Sequence, residues 1–185
     1  MDLTFQLHLE AVNARLKSRQ HMAVLLLEQP LFFEELIRIA TSSNHELALQ
    51  AIWTIEQALV IHPLSLCEYV ELFIKSLPET HEDSNLRSIA KICSIILKIP
   101  MLKSRFDLIP QRYKLHMVHC NFIWFTAPYR VAVKVHAMEN LSRLITLEEW
   151  IKPNLIDIIE LHYPTQSAAY KARARTVLKR LKKLN

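Results

Sequence analysis

The pentapeptide HMVHC contains three residues of types that bind metals: His116, His119 and Cys120. Residues three and four positions apart share one face of a helix, and Zn²⁺ accepts both imidazole and thiolate ligands. The common zinc motifs add a second pair of ligands at a defined spacing, and the sequence shows none. We therefore expect Cys120 in the core and one histidine at its edge, and we predict no metal and no other cofactor. Metal binding through these residues and one further ligand is the alternative.

Adjacent carboxylates are the next candidates for chemistry. Neighbouring residues on a helix point about 100° apart, so a pair does not converge on one substrate. General acid–base catalysis needs two groups that face one site and differ in pKa. We expect these acids to face solvent or, in Glu82/Asp83 and Glu148/Glu149, to lie near a helix N-terminus. We predict no catalytic residue and no enzymatic activity. The pairs are Glu34/Glu35, Glu82/Asp83 and Glu148/Glu149.

Aromatic residues are concentrated in the segment NFIWFTAPYR. Phe122 and Phe125 share one helix face, and Trp124 points elsewhere. Most of this group is expected in the core, whereas an exposed member would mark a partner-binding hot spot, because Trp, Tyr and Arg are enriched there. The group comprises Phe122, Trp124, Phe125 and Tyr129.

Cations recur at equivalent positions when the small residues Ala90, Ala137 and Ala174 are aligned. A Lys or Arg stands three positions before each alanine, and another stands one position after the first and the last. A row of cations on successive helices would bind an acidic protein or another polyanion. This basic row consists of Arg87, Lys91, Lys134, Lys171 and Arg175, with Tyr129 and Arg130 nearby.

A structural role for the basic row is the alternative. Asp83 precedes Arg87 by one helical turn, so the two can form an ion pair within one helix. Lys134 and Lys171 have no such acid in the preceding turn. The structural explanation therefore covers these two lysines less well.

The elements that position these residues are predicted to be helices. Apolar residues recur at steps of three and four along most of the chain, and prolines punctuate the segments. Four segments place a small alanine four positions after an apolar residue, where close helix packing leaves no room for a larger side chain. Each of these segments follows another apolar helix, which is the HEAT/armadillo pattern of a helix pair every 40 to 47 residues or so. The alanines are Ala51, Ala90, Ala137 and Ala174.

This periodicity predicts an all-α HEAT/armadillo-like superhelix of about four helix pairs in one domain covering residues 1–185. The N-terminal capping helices are expected at 1–29, because terminal repeats are atypical. The segment IPMLKSRFDLIP is expected as an insertion between the second and third pairs, and Pro153 either kinks a helix or starts one. The predicted pairs span residues 30–62, 63–99, 110–146 and 147–185.

Composition bounds the function. The 185 residues are 51% hydrophobic and 22% charged, and they include no glycine. A phosphate-binding loop needs glycine so that the backbone can approach phosphate, which excludes P-loop and dinucleotide motifs. The apolar runs are too short to span a membrane, and Cys67, Cys93 and Cys120 are expected as buried thiols in a reducing compartment. We predict a cytoplasmic protein that does not bind membranes.

Three stretches resemble a known group of proteins: QAIWTIEQALVIHPLSLCEYVELFIKSL, NLRSIAKICSIILK, and the end of the chain from VAVKVHAMENLSRL to QSAAYKARARTVLKRLKK. They are similar to a family of short HEAT-like helical-repeat proteins of Bacteroidetes-type bacteria, whose members often carry the label "adenylosuccinate lyase". The resemblance runs from about residue 20 to the C-terminus, and SIAKIC and QSAAYKARAR are its most specific parts. It implies an α-solenoid and no established activity.

The lyase label conflicts with the sequence. Enzymes that release fumarate from adenylosuccinate are more than twice this length and use a flexible Gly-Ser-Ser-x-Met-Pro-x-Lys-x-Asn-Pro loop that contains the catalytic serine. A chain with no glycine cannot contain that loop. No catalytic residue is therefore transferred, and lyase activity is the least favoured hypothesis.

The main hypothesis is a non-enzymatic interaction module whose partner is an acidic protein or another polyanion. Nucleic acid is the second hypothesis, since one HEAT-like family of DNA-repair glycosylases binds DNA on a basic concave face. The net charge of +5 comes from the last 20 residues, since the rest of the chain has 16 basic and 18 acidic residues. We interpret that tail as the last helix of the solenoid, with an apolar stripe and a cationic outer face. The stripe is Tyr170, Ala174, Val177, Leu181 and Leu184.

Overall fold

The computed structural model describes residues 3–183, and within this range the chain forms eleven α-helices and no β-strand. The prediction of an all-α protein is confirmed. Three 3-10 helices lie at Pro30–Phe32, Pro63–Tyr69 and Tyr163–Thr165. The α-helices are α1 (Leu3–Glu10), α2 (Leu16–Glu28), α3 (Phe33–Thr41), α4 (Ala48–Ile61), α5 (Val70–Lys75), α6 (Asp83–Lys98), α7 (Pro100–Leu108), α8 (Gln111–Thr126), α9 (Val131–Leu144), α10 (Ile151–His162) and α11 (Ala168–Lys182).

Prolines mark the helix boundaries in this glycine-free chain. Pro100 is the first residue of α7, directly after the break that ends α6, and a proline is tolerated there because its missing N–H is not needed in the first turn. The segment expected as an insertion therefore contains a helix of its own. Pro153 lies in the first turn of α10, close to the start of this helix. Among residues 3–183 no residue has a positive φ.

The helices pack in a regular order. The helix α4 contacts α2 and α6, α6 contacts α9, and α9 contacts α11. A second series lies beside the first: α3 packs on α4 and contacts α5, α5 contacts α8, α8 packs on α9, and α10 contacts both α9 and α11. The helices α4, α6, α9 and α11 thus stand next to one another, and their side chains form the site described below.

The core follows the predicted periodicity. Each of the four aligned alanines is fully buried, with no solvent exposure, and α4, α6, α9 and α11 each contain one of them. A small side chain at these positions allows two helices to approach closely. The alanines are Ala51, Ala90, Ala137 and Ala174.

The basic tail forms α11, whose apolar stripe packs inward. Tyr170, Ala174, Val177 and Leu181 are buried, and Leu184 lies outside the described residues. Ser167 caps the helix, because its side chain accepts a hydrogen bond from the backbone N–H of Tyr170. Lys and Arg residues occupy most of the other positions. The tail is therefore an ordered helix with an apolar face.

Candidate functional site

The buried carboxylate of Glu139 in α9 collects four cations from three helices. Its side chain is 3% exposed. Arg180 of α11 approaches its Oε1 to 3.0 Å through Nη2, and Arg143 of α9 approaches the same oxygen to 2.9 Å. Arg173 of α11 lies 3.2 Å from Oε2, and Lys98 of α6 lies 3.8 Å from Oε1. We call these five residues the Glu139 cluster, and it joins α6, α9 and α11.

The Glu139 carboxyl is held in its charged form. Burial raises its pKa. The charge and hydrogen bonds of Arg180, the hydrogen bonds of Arg143 and the charge of Lys98 lower the pKa by more than burial raises it, so the pKa of Glu139 lies below its ordinary value. Ser142 extends the cluster, since its hydroxyl accepts from Nη1 of Arg180 at 2.7 Å and donates to the backbone carbonyl of Glu139. The arginines are therefore fixed in place by hydrogen bonds.

A second buried carboxylate, Glu56 of α4, binds two cations of α6. The Glu56 side chain is also 3% exposed. Nζ of Lys91 lies 2.6 Å from Oε1, and Nη2 of Arg87 lies 3.4 Å from Oε2. Burial raises the pKa of Glu56, but hydrogen bonds from Lys91 and Ser88 and the charges of Lys91 and Arg87 lower it below its ordinary value. These three charged residues form the Glu56 cluster.

His136 of α9 lies between the two clusters. Burial lowers its pKa, and the positive charges of Arg87, Lys91, Lys98 and Arg173 lower it further, to about 4. Two of these cations belong to the Glu56 cluster and two to the Glu139 cluster. His136 is therefore a neutral imidazole at neutral pH, in a field of positive charge.

Together the two clusters form one cationic face. Six cations surround two buried carboxylates, so positive charge is in excess by four. Each cation side chain is between 29% and 44% exposed, which leaves N–H groups available to a partner. The cationic face consists of Arg87, Lys91, Lys98, Arg143, Arg173 and Arg180.

An open groove of about 740 Å³ lies between α9 and α11. Its walls are mostly aliphatic, with valines on the α9 side and alanines on the α11 side. His136 and Arg173 provide polar groups beside these walls, and Arg173 links the groove to the Glu139 cluster. The lining residues are Val131, Ala132, Val135, His136, Ala169, Ala172, Arg173 and Thr176.

A buried amide network fixes α9 against α6 and α8. The side-chain amide of Asn140 donates to the carbonyl of Ala90 and to Oδ1 of Asn121, both at 2.9 Å. Its oxygen accepts from the Ser94 hydroxyl at 2.6 Å, and the Asn121 amide donates to the Met117 carbonyl. Because Asn140 follows Glu139 directly, the network also fixes the position of that carboxylate.

The structure separates the members of the predicted basic row. Arg87 and Lys91 belong to the cationic face. Nζ of Lys171 instead donates to the Pro164 carbonyl at 3.0 Å, and Arg175 lines a different groove beside α10, with Tyr163 and Pro164. The row is therefore not one continuous line of cations, because Lys171 and Arg175 lie on another side of α11 from Arg173.

The other predicted partner-binding residues lie near the start of α9. Lys134 is 9% exposed, and burial lowers its pKa. Tyr129 is half-buried against the core. The backbone N–H of Arg130 donates to Asp83 at 2.9 Å, and its guanidinium lies 3.5 Å from the same carboxylate. The suggested pair of Asp83 with Arg87 is therefore wrong, because Arg130 approaches Asp83 and Arg87 reaches Glu56.

The aromatic segment is mostly internal, as predicted. Trp124 and Phe125 are fully buried, and the Trp124 indole N–H donates to the carbonyls of Pro78 and Glu79 at 3.1 Å. Phe122 is half-buried and stacks on Trp150, with ring centroids 5.5 Å apart. Trp150 itself is 47% exposed, so the exposed aromatic of this region lies outside the predicted group.

The candidate metal ligands are held by other contacts. Cys120 is buried, and burial raises its pKa to about 12. A ring nitrogen of His116 lies 2.9 Å from the Leu77 carbonyl, while His119 faces outward, 3.4 Å from Glu79. Among residues 3–183 no group of three His, Cys, Asp or Glu residues is arranged to hold a metal ion.

The adjacent carboxylates pair with cations or lie near helix starts. Glu34 pairs with Arg38 one turn later, at 2.8 Å, and Asp83 lies in the first turn of α6. Glu148 and Glu149 precede α10, which begins at Ile151. Among residues 3–183, the buried acids are instead Glu56 and Glu139.

Sequence reasoning missed both buried glutamates. Each is an isolated acid within a long apolar helix, at a position among buried residues. An acid in such a position must be paired, because an unpaired buried charge is too costly. That signal was present in the sequence. The same reasoning would have pointed to cations on the neighbouring helices, but not to Lys98, Arg173 and Arg180 in particular.

Comparisons with known proteins identify no relative. No family model matches the chain. No curated protein matches it, and neither does any solved structure. Within residues 3–183, no helix has both the length and the apolar character to cross a membrane. The resemblance to a HEAT-like family stays a prediction.

Proposed function

We propose that this protein is a non-enzymatic, cytoplasmic interaction module that binds an acidic protein or another polyanion on its cationic face. The observation that supports the proposal is that six cations of α6, α9 and α11 surround two buried carboxylates, which leaves an excess of four positive charges. A purely structural ion pair needs one cation for each carboxylate. The surplus leaves positive charge directed at solvent.

A HEAT-like α-solenoid is the architecture that we propose for this module. The order of contacts supports it, because α4, α6, α9 and α11 pack one after another while α3, α5 and α8 form a parallel series. The fully buried alanines at equivalent positions add to that support. In such an array each repeat contacts only its neighbours and the array offers an extended binding surface.

The charge of the two helix series supports the location of the binding face. The helices α4, α6, α9 and α11 contain eleven Lys or Arg residues and three acids. The helices α3, α5, α8 and α10 contain five of each. One helix series is therefore strongly cationic and the other is balanced. Six of the eleven cations belong to the cationic face, where their charge attracts an acidic partner.

The buried carboxylates would prepare the cations for binding. Long Lys and Arg side chains lose conformational freedom when a partner immobilises them, which weakens binding. Glu56 and Glu139 already hold these side chains by hydrogen bonds. Part of the ordering cost is therefore met before the partner arrives. An arginine that donates to Glu139 still has N–H groups for a carboxylate or a phosphate, because a guanidinium has five.

Binding of a fluorescein-labelled peptide, Glu-Glu-Glu-Gln repeated three times, tests this proposal. Fluorescence anisotropy should detect binding at low salt, and the affinity should fall by at least about tenfold between about 50 mM and 200 mM NaCl, because charged contacts are screened. Lys98→Gln combined with Arg173→Gln should weaken binding at low salt by a further tenfold or so.

A matched control removes the same charge from the other helix series. Lys75→Gln with Arg112→Gln changes exposed cations of α5 and α8, and it should leave the affinity within about twofold. Equal losses in the two double variants would mean that net charge alone matters, which contradicts the proposed face. Binding of a random DNA duplex more tightly than the peptide would favour the nucleic-acid hypothesis.

A further inference from the structure

The groove between α9 and α11 has two kinds of wall. Val131 and Val135 of α9 face Ala169 and Ala172 of α11 across an opening of about 740 Å³. Small side chains on one wall and β-branched ones on the other leave space for an aliphatic side chain. Burial of a Leu or Ile side chain there would remove apolar surface from water on both sides.

Polar groups lie directly beside this apolar surface. Arg173 lines the groove and uses Nη1 to reach Glu139 at 3.2 Å. Its guanidinium keeps further N–H groups that can donate to a carboxylate in two parallel hydrogen bonds. His136, on the opposite wall, is a neutral imidazole with one N–H donor. An anionic group at this position would be attracted by the cations that surround His136.

On the basis of the proposed function, we infer that this groove binds an acidic protein segment. The segment inserts an aliphatic side chain between Val135 and Ala172 and presents a neighbouring carboxylate to Arg173. The segment is recognised by its charge on the cationic face and by its apolar residue in the groove. An apolar residue flanked by acids is the chemistry that matches both features.

The groove favours a protein segment over nucleic acid. Phosphates recur along a nucleic-acid backbone and call for a line of cations, whereas Arg173 is the one cation among the lining residues. Single strands bind through aromatic residues that stack on the bases, and the lining contains valine and alanine instead. An apolar contact bordered by polar and charged groups matches the usual anatomy of a protein–protein interface, in which an apolar centre is surrounded by a polar rim.

Two peptides of equal charge test the inference. One repeats Glu-Glu-Glu-Leu three times, and the other is the Glu-Glu-Glu-Gln peptide described above. The leucine peptide should bind the wild-type protein at least about tenfold more tightly, because the buried aliphatic side chain adds affinity that the glutamine cannot. Fluorescence anisotropy at one fixed salt concentration measures both.

A variant that fills the groove should remove this preference. Ala172 is exposed, so Ala172→Trp occupies the space without disturbing the core, and the leucine and glutamine peptides should then bind within about twofold of each other. Ala168→Trp is the matched control, because Ala168 is exposed on the same helix and lies outside the groove lining. It should keep the preference for leucine.

The outcomes separate this inference from the proposed function. Equal affinity of the two peptides for the wild-type protein overturns the groove inference and leaves the cationic face intact. Failure of both peptides to bind at low salt overturns the proposed function itself. Tighter binding of a DNA duplex than of the leucine peptide assigns the cationic face to nucleic acid. A protein dimer that Ala172→Trp abolishes assigns the groove to a second copy of this chain.

Discussion

The Glu56 cluster and the Glu139 cluster are built from the same chemistry but differ in the number of cations around the carboxylate. Each contains a glutamate that is 3% exposed, with a pKa below its ordinary value. Glu56 has two cations, and both come from α6, one helical turn apart. Glu139 has four, from α6, α9 and α11. The first cluster has an excess of one positive charge, whereas the second has an excess of three.

This difference shows how a buried acid can organise a surface. Two cations and the Ser88 hydroxyl are enough to lower the pKa of the buried Glu56 carboxyl below its ordinary value. The further cations around Glu139 repel one another, and the carboxylate holds them together. The Glu139 cluster is therefore expected to matter more for both stability and binding.

Replacement of Glu139 should have the largest effect. Glu139→Gln leaves Lys98, Arg143, Arg173 and Arg180 without a counter-charge. The loss should be about 3 kcal/mol of unfolding free energy, the low end of the range for a broken buried pair, because the cations are partly exposed. Urea unfolding followed by circular dichroism measures it. Glu149→Gln, at an exposed acid, is the control and should change the free energy by less than about 0.5 kcal/mol.

The effect of Glu139→Gln should also depend on pH. A carboxyl with a lowered folded-state pKa stabilises the protein fully above its unfolded value, and this stability is lost as the pH falls through the folded value. The ordinary value for Glu139 is 4.5. The difference between wild type and variant should therefore be constant above that pH and shrink below it. A difference that grows in acid would contradict the assigned ion pairs.

Replacement of Glu56 should have an intermediate effect. Glu56→Gln leaves only Arg87 and Lys91 unpaired, and both can turn toward water. We expect a loss of about 1–2 kcal/mol, which is smaller than for Glu139 because fewer like charges are left together. The same urea experiment applies. A loss equal to or greater than that of Glu139→Gln would remove the proposed difference between the clusters.

Titration of His136 between pH 7 and 6 should give the smallest change in stability. Its folded-state pKa of about 4 lies below its ordinary value of 6.5, so the unfolded state binds more protons between these values and stability falls as the pH decreases through that window. Between about pH 7 and 6 the loss should be about 0.7 kcal/mol. His136→Asn should abolish this part of the pH dependence. NMR titration of the His136 ring gives the pKa directly, and a value near 6.5 would mean that neither burial nor the cations of the two clusters lower it.

The sequence predicted the helices better than the site. The helical periodicity and the proline positions predicted the all-α class and the buried alanines. Helices form through contacts between residues that are close in sequence, so a local pattern is enough to predict them. The segment around α7 was less clear, since its apolar residues Leu102 and Phe106 are few and its surface residues many.

The clusters depend on contacts that periodicity does not encode. Arg180 and Glu139 are 41 residues apart, and whether they meet depends on the rotation of α11 about its axis. Alignment of the repeats placed Lys171 and Arg175 on the inner side. The structure turns Arg173 and Arg180 toward α9 instead, because Tyr170, Ala174, Val177 and Leu181 are the residues that fill the core.

The Asn140 network determines where this molecule can bend. Its amide groups are fully paired only in one relative position of α6, α8 and α9, so sliding or twisting between these helices would break several buried hydrogen bonds at once. The junction of α9 with α11 is bridged by long Arg side chains, which can follow a small rotation and keep their ion pairs. Elastic deformation should therefore be concentrated at that junction, and the groove can widen or narrow around an occupant while the centre of the molecule stays rigid.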